Sequence, residues 1–190
     1  MAKKDERRVR KTKKAMQDAL AALLLEKPLN NISVREIAEI ADINRGTFYL
    51  HYRDVYDMVE QLQAEFFERF NVIFDNYEPE KRTDNIFHVI AAVFQLLSEN
   101  ADLARVLLGK NGDAAFLDKL KNLLREKCFV NAQKLLNIKN DEEFYYFFHY
   151  ITSGCVGIFD AWLNGGMKET PLEMASYTEK FILDGAKTFI

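Results

Sequence analysis

The sequence predicts an all-α protein, with a three-helix N-terminal domain over residues 1–53 and a larger helical bundle over residues 54–190. Three observations carry this. Apolar residues recur at spacings of three and four along nearly the whole chain, the signature of one buried helical face. The 190 residues hold only three prolines and eight glycines, few for a turn-rich β fold. No segment alternates with the period of two that a half-buried strand requires. A hydrophobic content of 48% with 29% charged residues is ordinary for a soluble globular protein.

The first helix is read from Val9 to Glu26, with Met16, Ala19, Leu20, Leu23 and Leu24 on one face. Pro28 and the Asn30-Asn31 pair end it. Ser33-Val34-Arg35-Glu36 is a capping box, and Val34, Ile37, Ala38 and Ala41 extend a second helix over 34–41. Asn44 is a good N-cap for a short third helix, Arg45 to Tyr52. A long fourth helix runs from Val55 to Tyr77 and is closed by Pro79. Further helices are expected at 84–98, 101–108, 113–136, 141–164 and 171–189.

The second and third helices, joined by a three-residue turn, have the spacing of a helix-turn-helix, which lays its second helix into the major groove of DNA. Small Ala38 lets the helices approach, while Ile37, Ile43 and Phe48 lock them together. Asp42 stands where the turn needs a left-handed conformation, which Asp tolerates better than most non-glycine residues. The third helix presents Arg45, Gly46, Thr47, Tyr49, His51 and Tyr52. Arg45 can read guanine edges or hold a phosphate, and Gly46 allows close backbone approach. Thr47 can touch a thymine methyl, and the three aromatic residues carry polar tips for phosphate oxygens. Ser33, Arg35, Asn44 and Arg53 complete the candidate DNA-binding set.

Charge is distributed in the same sense. Residues 1–53 carry 12 basic against 7 acidic residues, whereas the chain as a whole is at −3. Eight of those basic residues fall within the first 14 positions. A basic module on an acidic body is what a polyanion partner calls for.

The stretch Thr12 to Met58, above all SVREIAEIADINRGTFYLHYRDVYDM, resembles the TetR family of bacterial regulators. The resemblance implies a homodimer binding a palindromic operator in double-stranded DNA, with a small-molecule effector controlling it through the C-terminal domain. It also implies that Ser33, Arg35, Arg45, Gly46, Thr47, Tyr49, His51 and Tyr52 are used on DNA. Two positions depart from the family pattern. Asp42 replaces the usual turn glycine, and Val55 replaces a Lys that commonly opens the fourth helix, leaving Arg53 as a partial substitute.

In the helix at 141–164, Phe144, Phe147, Phe148, Ile151, Cys155, Ile158, Phe159 and Trp162 form one apolar stripe. A second line, Tyr146, Tyr150, Gly154, Gly157 and Ala161, is aromatic and then small, so this helix is expected to be buried on two sides. Thr170-Pro171-Leu172-Glu173 restarts the chain as a last helix. The pair resembles the hairpin with which TetR-family subunits form a two-fold four-helix dimer. The expected interface is Tyr150, Gly154, Gly157 and Ala161 with Thr178, Ile182 and Gly185. Effector-pocket candidates are Phe66, Phe70, Phe94, Phe116, Tyr145, His149 and Trp162, each also a natural core residue. The ending from Trp162 to Ala175 resembles a Firmicute-type C-terminal subgroup, some of whose members act as activators with a protein partner. The alternative is therefore a regulator or coactivator whose C-terminal domain binds a protein.

Cys128 and Cys155 have no metal-ligand or disulfide spacing and read as small core residues, with a thiol sensor as the alternative. His88 and His149 lack metal spacing and read as structural. No phosphate-binding glycine loop, nucleophile motif or metal pair points to an enzyme, a cofactor or a bound metal. Asn31-Ile32-Ser33 matches a glycosylation acceptor, which carries no meaning without a secretory signal. With no leader-like run and no apolar run long enough to span a membrane, a cytoplasmic location without membrane association is expected.

Overall fold

The computed structural model describes residues 2–76, 84–108, 114–129 and 141–187. The described residues are helical with short connections and contain no strand. The helices are α1 (Ala2–Glu26), α2 (Val34–Ile40), α3 (Arg45–Tyr49), α4 (Val55–Asp75), α5 (Asp84–Glu99), α6 (Ala101–Leu108), α7 (Ala114–Leu124), α8 (Asp141–Asn164) and α9 (Pro171–Ala186). A 3₁₀ turn, Leu29–Asn31, follows α1, and a π-helical turn, Arg125–Phe129, follows α7. The expected closure of α4 at Tyr77 and Pro79, the end of the seventh helix beyond Phe129, and Phe189 lie outside the described residues.

Two boundaries differ from the sequence expectation for physical reasons. Helix α1 begins at Ala2, not Val9. Its first turns lack an apolar face, but Ala, Lys, Arg and Glu are strong helix formers and extend a helix that is already nucleated. Helix α3 ends at Tyr49, and the chain turns through Leu50 and His51 before Tyr52 enters the core.

The chain separates into two compact units, Met1–Glu65 and Phe66–Ile190, dividing inside α4 instead of at residue 53. The core of the first unit joins Met16, Leu20 and Leu23 of α1 to Ile37 and Ala38 of α2, and to Phe48 and Tyr52. Val55, Met58 and Leu62 are buried with this unit, so the first turns of α4 belong to it. Phe66, Phe70 and Phe74, further along the same helix, join the core of the second unit.

In the second unit α9 packs chiefly along α5. Phe94 sits edge-on to Phe159 at 4.7 Å and to Trp162 at 5.2 Å. The indole N–H of Trp162 donates to the Glu169 carbonyl at 3.0 Å, satisfying a polar atom that burial would otherwise strand. Arg105 Nε donates to the Leu163 carbonyl at 3.0 Å, pinning the end of α8 to α6. Gly165-Gly166 ends α8: a Cβ on Gly165 would meet the Ala161 carbonyl oxygen at 2.8 Å, and Gly166 has φ +89. Thr170 and Glu173 form the capping box that restarts the chain.

Candidate nucleic-acid interface

The geometry of α2 and α3 follows from how their ends are satisfied. Ser33 Oγ accepts the Glu36 amide while the Glu36 carboxylate takes the Ser33 amide at 3.0 Å, a reciprocal capping box. The Ser33 hydroxyl itself donates to Glu36 at 2.8 Å. Lys27, just past the end of α1, also pairs with this carboxylate, and Lys27 and Ser33 together hold it down to about 2.

The turn after α2 is closed by two backbone bonds: Ile43 N–H donates to Ala38 O at 3.0 Å and Asp42 N–H to Glu39 O at 3.4 Å. This is the Schellman pattern, and Asp42 occupies its left-handed position with φ 51. Asn44 Oδ1 then accepts the Gly46 amide at 2.8 Å and starts α3.

This scaffold exposes Asn44, Arg45, Gly46 and Tyr49 together on the short third helix. Tyr49 is 58% exposed, its ring edge-on to buried Phe48 at 5.7 Å. Arg45 is exposed and makes no ion pair among the described residues. A Cβ on Gly46 would meet only Asn44 Oδ1, at 3.4 Å, so nothing inside the fold demands glycine there. Thr47 and His51 are half-buried beside this patch, and Ser33 is exposed at the start of α2.

The two flanking arginines are exposed but engaged. Arg35 Nε contacts Glu39 at 2.7 Å, and Arg53 contacts Asp57 at 3.1 Å. Asp57 also accepts the Arg53 backbone amide, which holds its carboxyl below the usual range. Arg53 can substitute for the missing lysine only by loosening this pair. Val55, at the lysine position, is buried.

Tyr52 corrects the sequence expectation. It is 2% exposed and its hydroxyl has no partner in hydrogen-bond geometry, although Gln17 lies close enough to oppose part of the pKa shift. Burial, aided by Glu65, pushes the phenol up to about 12. Lys13 covers the ring at 5.7 Å. Tyr52 is thus part of the core and presents nothing to a phosphate. The chain must turn inward there, because α3 ends at Tyr49.

The second unit also redistributes its candidates. A cavity of about 190 Å³ lies among α4, α5, α7, α8 and α9, and of the seven pocket candidates only Phe70 lines it. Phe66, Phe94, Phe116 and Trp162 are buried in the surrounding core. Tyr145 and His149 meet edge to face at 4.4 Å on the exposed side of α8, and His88 is likewise exposed instead of structural. The cavity wall is built largely from the apolar stripe of α8, including Phe144, Phe147, Ile151 and Cys155, in the aromatic-rich run Phe144 to Asp160 whose composition suits a flat or apolar ligand. Cys155 is a free thiol pushed up to about 11 by burial, which makes it a poor nucleophile. The Cys128 side chain lies outside the described residues.

On the proposed interface helices, Tyr150, Gly154, Gly157 and Ala161 are exposed on α8, and a Cβ on either glycine would meet nothing within 4 Å. The three α9 candidates point the other way. Thr178 is buried with its hydroxyl on the Met174 carbonyl at 2.8 Å, Ile182 lines the cavity, and a Cβ on Gly185 would meet the Phe147 ring at 3.4 Å. The exposed apolar residues of α9 include Tyr177 and Phe181 instead. Their i, i+4 spacing was the available signal, but α9 carries apolar residues on two sides and spacing does not say which side faces in.

Residues 18–62 match the family model described as "Bacterial regulatory proteins, tetR family", and residues 84–184 match "Transcriptional regulator C-terminal region" of the same series. The chain belongs to the TetR family of transcriptional regulators. A 47-residue stretch is 38% identical to YxbF of Bacillus subtilis (strain 168), described as an uncharacterized HTH-type transcriptional regulator; the match spans 25% of this chain and 12% of that protein. Among solved structures, the dihydroxyacetone kinase operon activator DhaS superposes with a TM-score of 0.59 at 20% identity, over 93% of this chain and 97% of that one. FadR from Bacillus subtilis, solved with stearoyl-CoA, superposes with a TM-score of 0.67 at 16% identity, covering 90% of this chain and 97% of FadR. The family-model matches establish the regulator class, and the likeness to solved structures establishes the fold. Among the described residues no helix is long and apolar enough to cross a membrane.

Proposed function

We propose that this TetR-family regulator acts in the cytoplasm as a homodimer on a palindromic operator and that a small molecule in the second unit releases or strengthens that grip. The observation that carries the DNA reading is the exposed end of α3, where Arg45 stands without an ion pair among the described residues, next to a glycine the fold does not need. A base edge or phosphate arriving at close range accounts for both. Asn44, Thr47, Tyr49 and His51 surround the contact, and Ser33 with Arg35 holds the backbone from α2. The basic first turns of α1 add sequence-independent attraction.

One helix-turn-helix reads only a few base pairs, so a two-fold pair reading an inverted repeat makes the recognition specific. The exposed line Tyr146, Tyr150, Gly154, Gly157 and Ala161 on α8, with Tyr177 and Phe181 on α9, is the face offered to a second copy. Small residues there let a partner helix approach closely. The concave apolar cavity favours a small-molecule effector over a protein partner. Selection of bound duplexes from a random pool, read with light scattering of the complex, tests the whole reading. Enrichment of an inverted repeat bound by two chains is expected. A pool that never converges, or a single chain per duplex, would overturn it.

A further inference from the structure

We infer that the cavity of the second unit takes a small, uncharged, ring-sized hydrocarbon or weakly polar arene; this rests on the effector reading above and names its chemical class. Six phenyl rings line the space, from Phe70, Phe74, Phe144, Phe147, Phe148 and Phe159. Such a wall favours an aromatic guest through edge-to-face contacts. Its hydroxyls are already committed. Thr152 donates to the Phe148 carbonyl at 2.9 Å, with His149 O at 3.2 Å, and Thr178 donates to Met174 O at 2.8 Å. Both bonds lie within their own helices and leave no hydroxyl donor for a guest. Cys155, the remaining polar side chain of the wall among the described residues, stays a neutral thiol. Among the described residues no charged side chain lines the cavity.

A carboxylate, phosphate or ammonium placed here would lose its water with nothing to replace it. Size narrows the class further. The cavity of about 190 Å³ exceeds the roughly 150 Å³ of an apolar cavity that holds benzene but falls short of the ~300 Å³ at which ordinary drug-sized sites begin. A single ring with a short substituent fits within it. A ligand with an ionised headgroup has to leave that group outside.

The wall also carries its own reporters, because Ile86, Ile90, Ile151 and Ile182 line it while Ile32 and Ile37 lie in the core of the first unit. The full chain, labelled at isoleucine δ-methyls, is titrated with ethylbenzene and in parallel with phenylacetate, a near-isosteric anion. Saturable shifts of the four cavity methyls with ethylbenzene are expected, with Ile32 and Ile37 unmoved and phenylacetate at least about 100-fold weaker, as an unpaired buried carboxylate demands. Val156→Phe, which fills the space, should abolish the shifts while its methyl spectrum and melting midpoint report a folded protein. Equal binding of phenylacetate, or four unmoved methyls at ethylbenzene saturation of the wild type, would overturn the inference. An operator titration with and without ethylbenzene separates the two claims. Methyl shifts without a change in DNA affinity keep the ligand class and sink the effector reading.

Discussion

Lys27 and Glu36 form an ion pair that joins the end of α1 to the capping box of α2. The carboxylate thus satisfies three neighbours at once: the Lys27 ammonium, the Ser33 hydroxyl and the Ser33 backbone amide. Its folded pKa of about 2 lies below the reference value of 4.5, so its contribution to stability is complete above pH 4.5 and fades as pH falls toward 2. Glu36→Gln keeps a capping amide but loses the charge. Its melting midpoint should lie below wild type at pH 7, with the gap closing between pH 4.5 and pH 2. A gap that stays constant through this window would mean the charge contributes nothing.

Asp42 holds a left-handed conformation at φ 51 that costs a side-chain-bearing residue free energy. Asp42→Gly should therefore raise unfolding stability by about 1 kcal/mol, and Asp42→Val should lower it by ~1–2 kcal/mol. Urea unfolding measures both, and the opposite signs identify the backbone as the cause.

Gly46 and Arg45 separate folding from recognition. Gly46→Ala should leave the melting midpoint nearly unchanged, since its Cβ would meet only Asn44 Oδ1 at 3.4 Å, while weakening operator binding sharply. Arg45→Ala should cost about 1–3 kcal/mol of discrimination if the guanidinium reads a base edge, or reduce the salt slope by about 1 if it holds a phosphate. Gel-shift titrations at several salt concentrations decide between those roles. Arg53→Ala should do less, because Asp57 already competes for that side chain.

Tyr52→Phe tests the reassignment of that residue to the core. Removing a buried hydroxyl without a hydrogen-bond partner should stabilise the first unit by about 1 kcal/mol and leave operator affinity unchanged. A large loss of DNA binding at unchanged stability would put the hydroxyl back at the interface.

Phe181→Glu and Gly185→Ala, both on α9, should behave oppositely. The exposed Phe181 faces outward, and on the proposed dimer face a charge there should shift the light-scattering mass from two chains to one. Gly185→Ala presses inward, on the Phe147 ring at 3.4 Å and beside Ile151 at 3.9 Å, and should change the melting midpoint without changing the oligomeric state.

The sequence by itself determined the helical state at nearly every described position, the caps at Ser33, Asn44 and Thr170, the left-handed turn at Asp42 and the family, because these depend on residues within a few positions of one another. Capping boxes and Schellman turns are local hydrogen-bond arrangements and leave local signatures. Only the tertiary structure decided which side of a helix is inside. Phe144 and Phe147 could not be told from Phe94 and Phe116 by spacing, yet the first two line a cavity and the others fill the core. Thr178, Ile182 and Gly185 form a regular face, but α5 packs along α9 and residues of α8 meet that face, so it is turned inward and Tyr177 and Phe181 are left outside. Tyr52 looked like its exposed neighbour Tyr49 until the end of α3 turned it under Lys13. Burial of a particular side chain is set by residues distant in sequence, and periodicity along one helix contains no term for them.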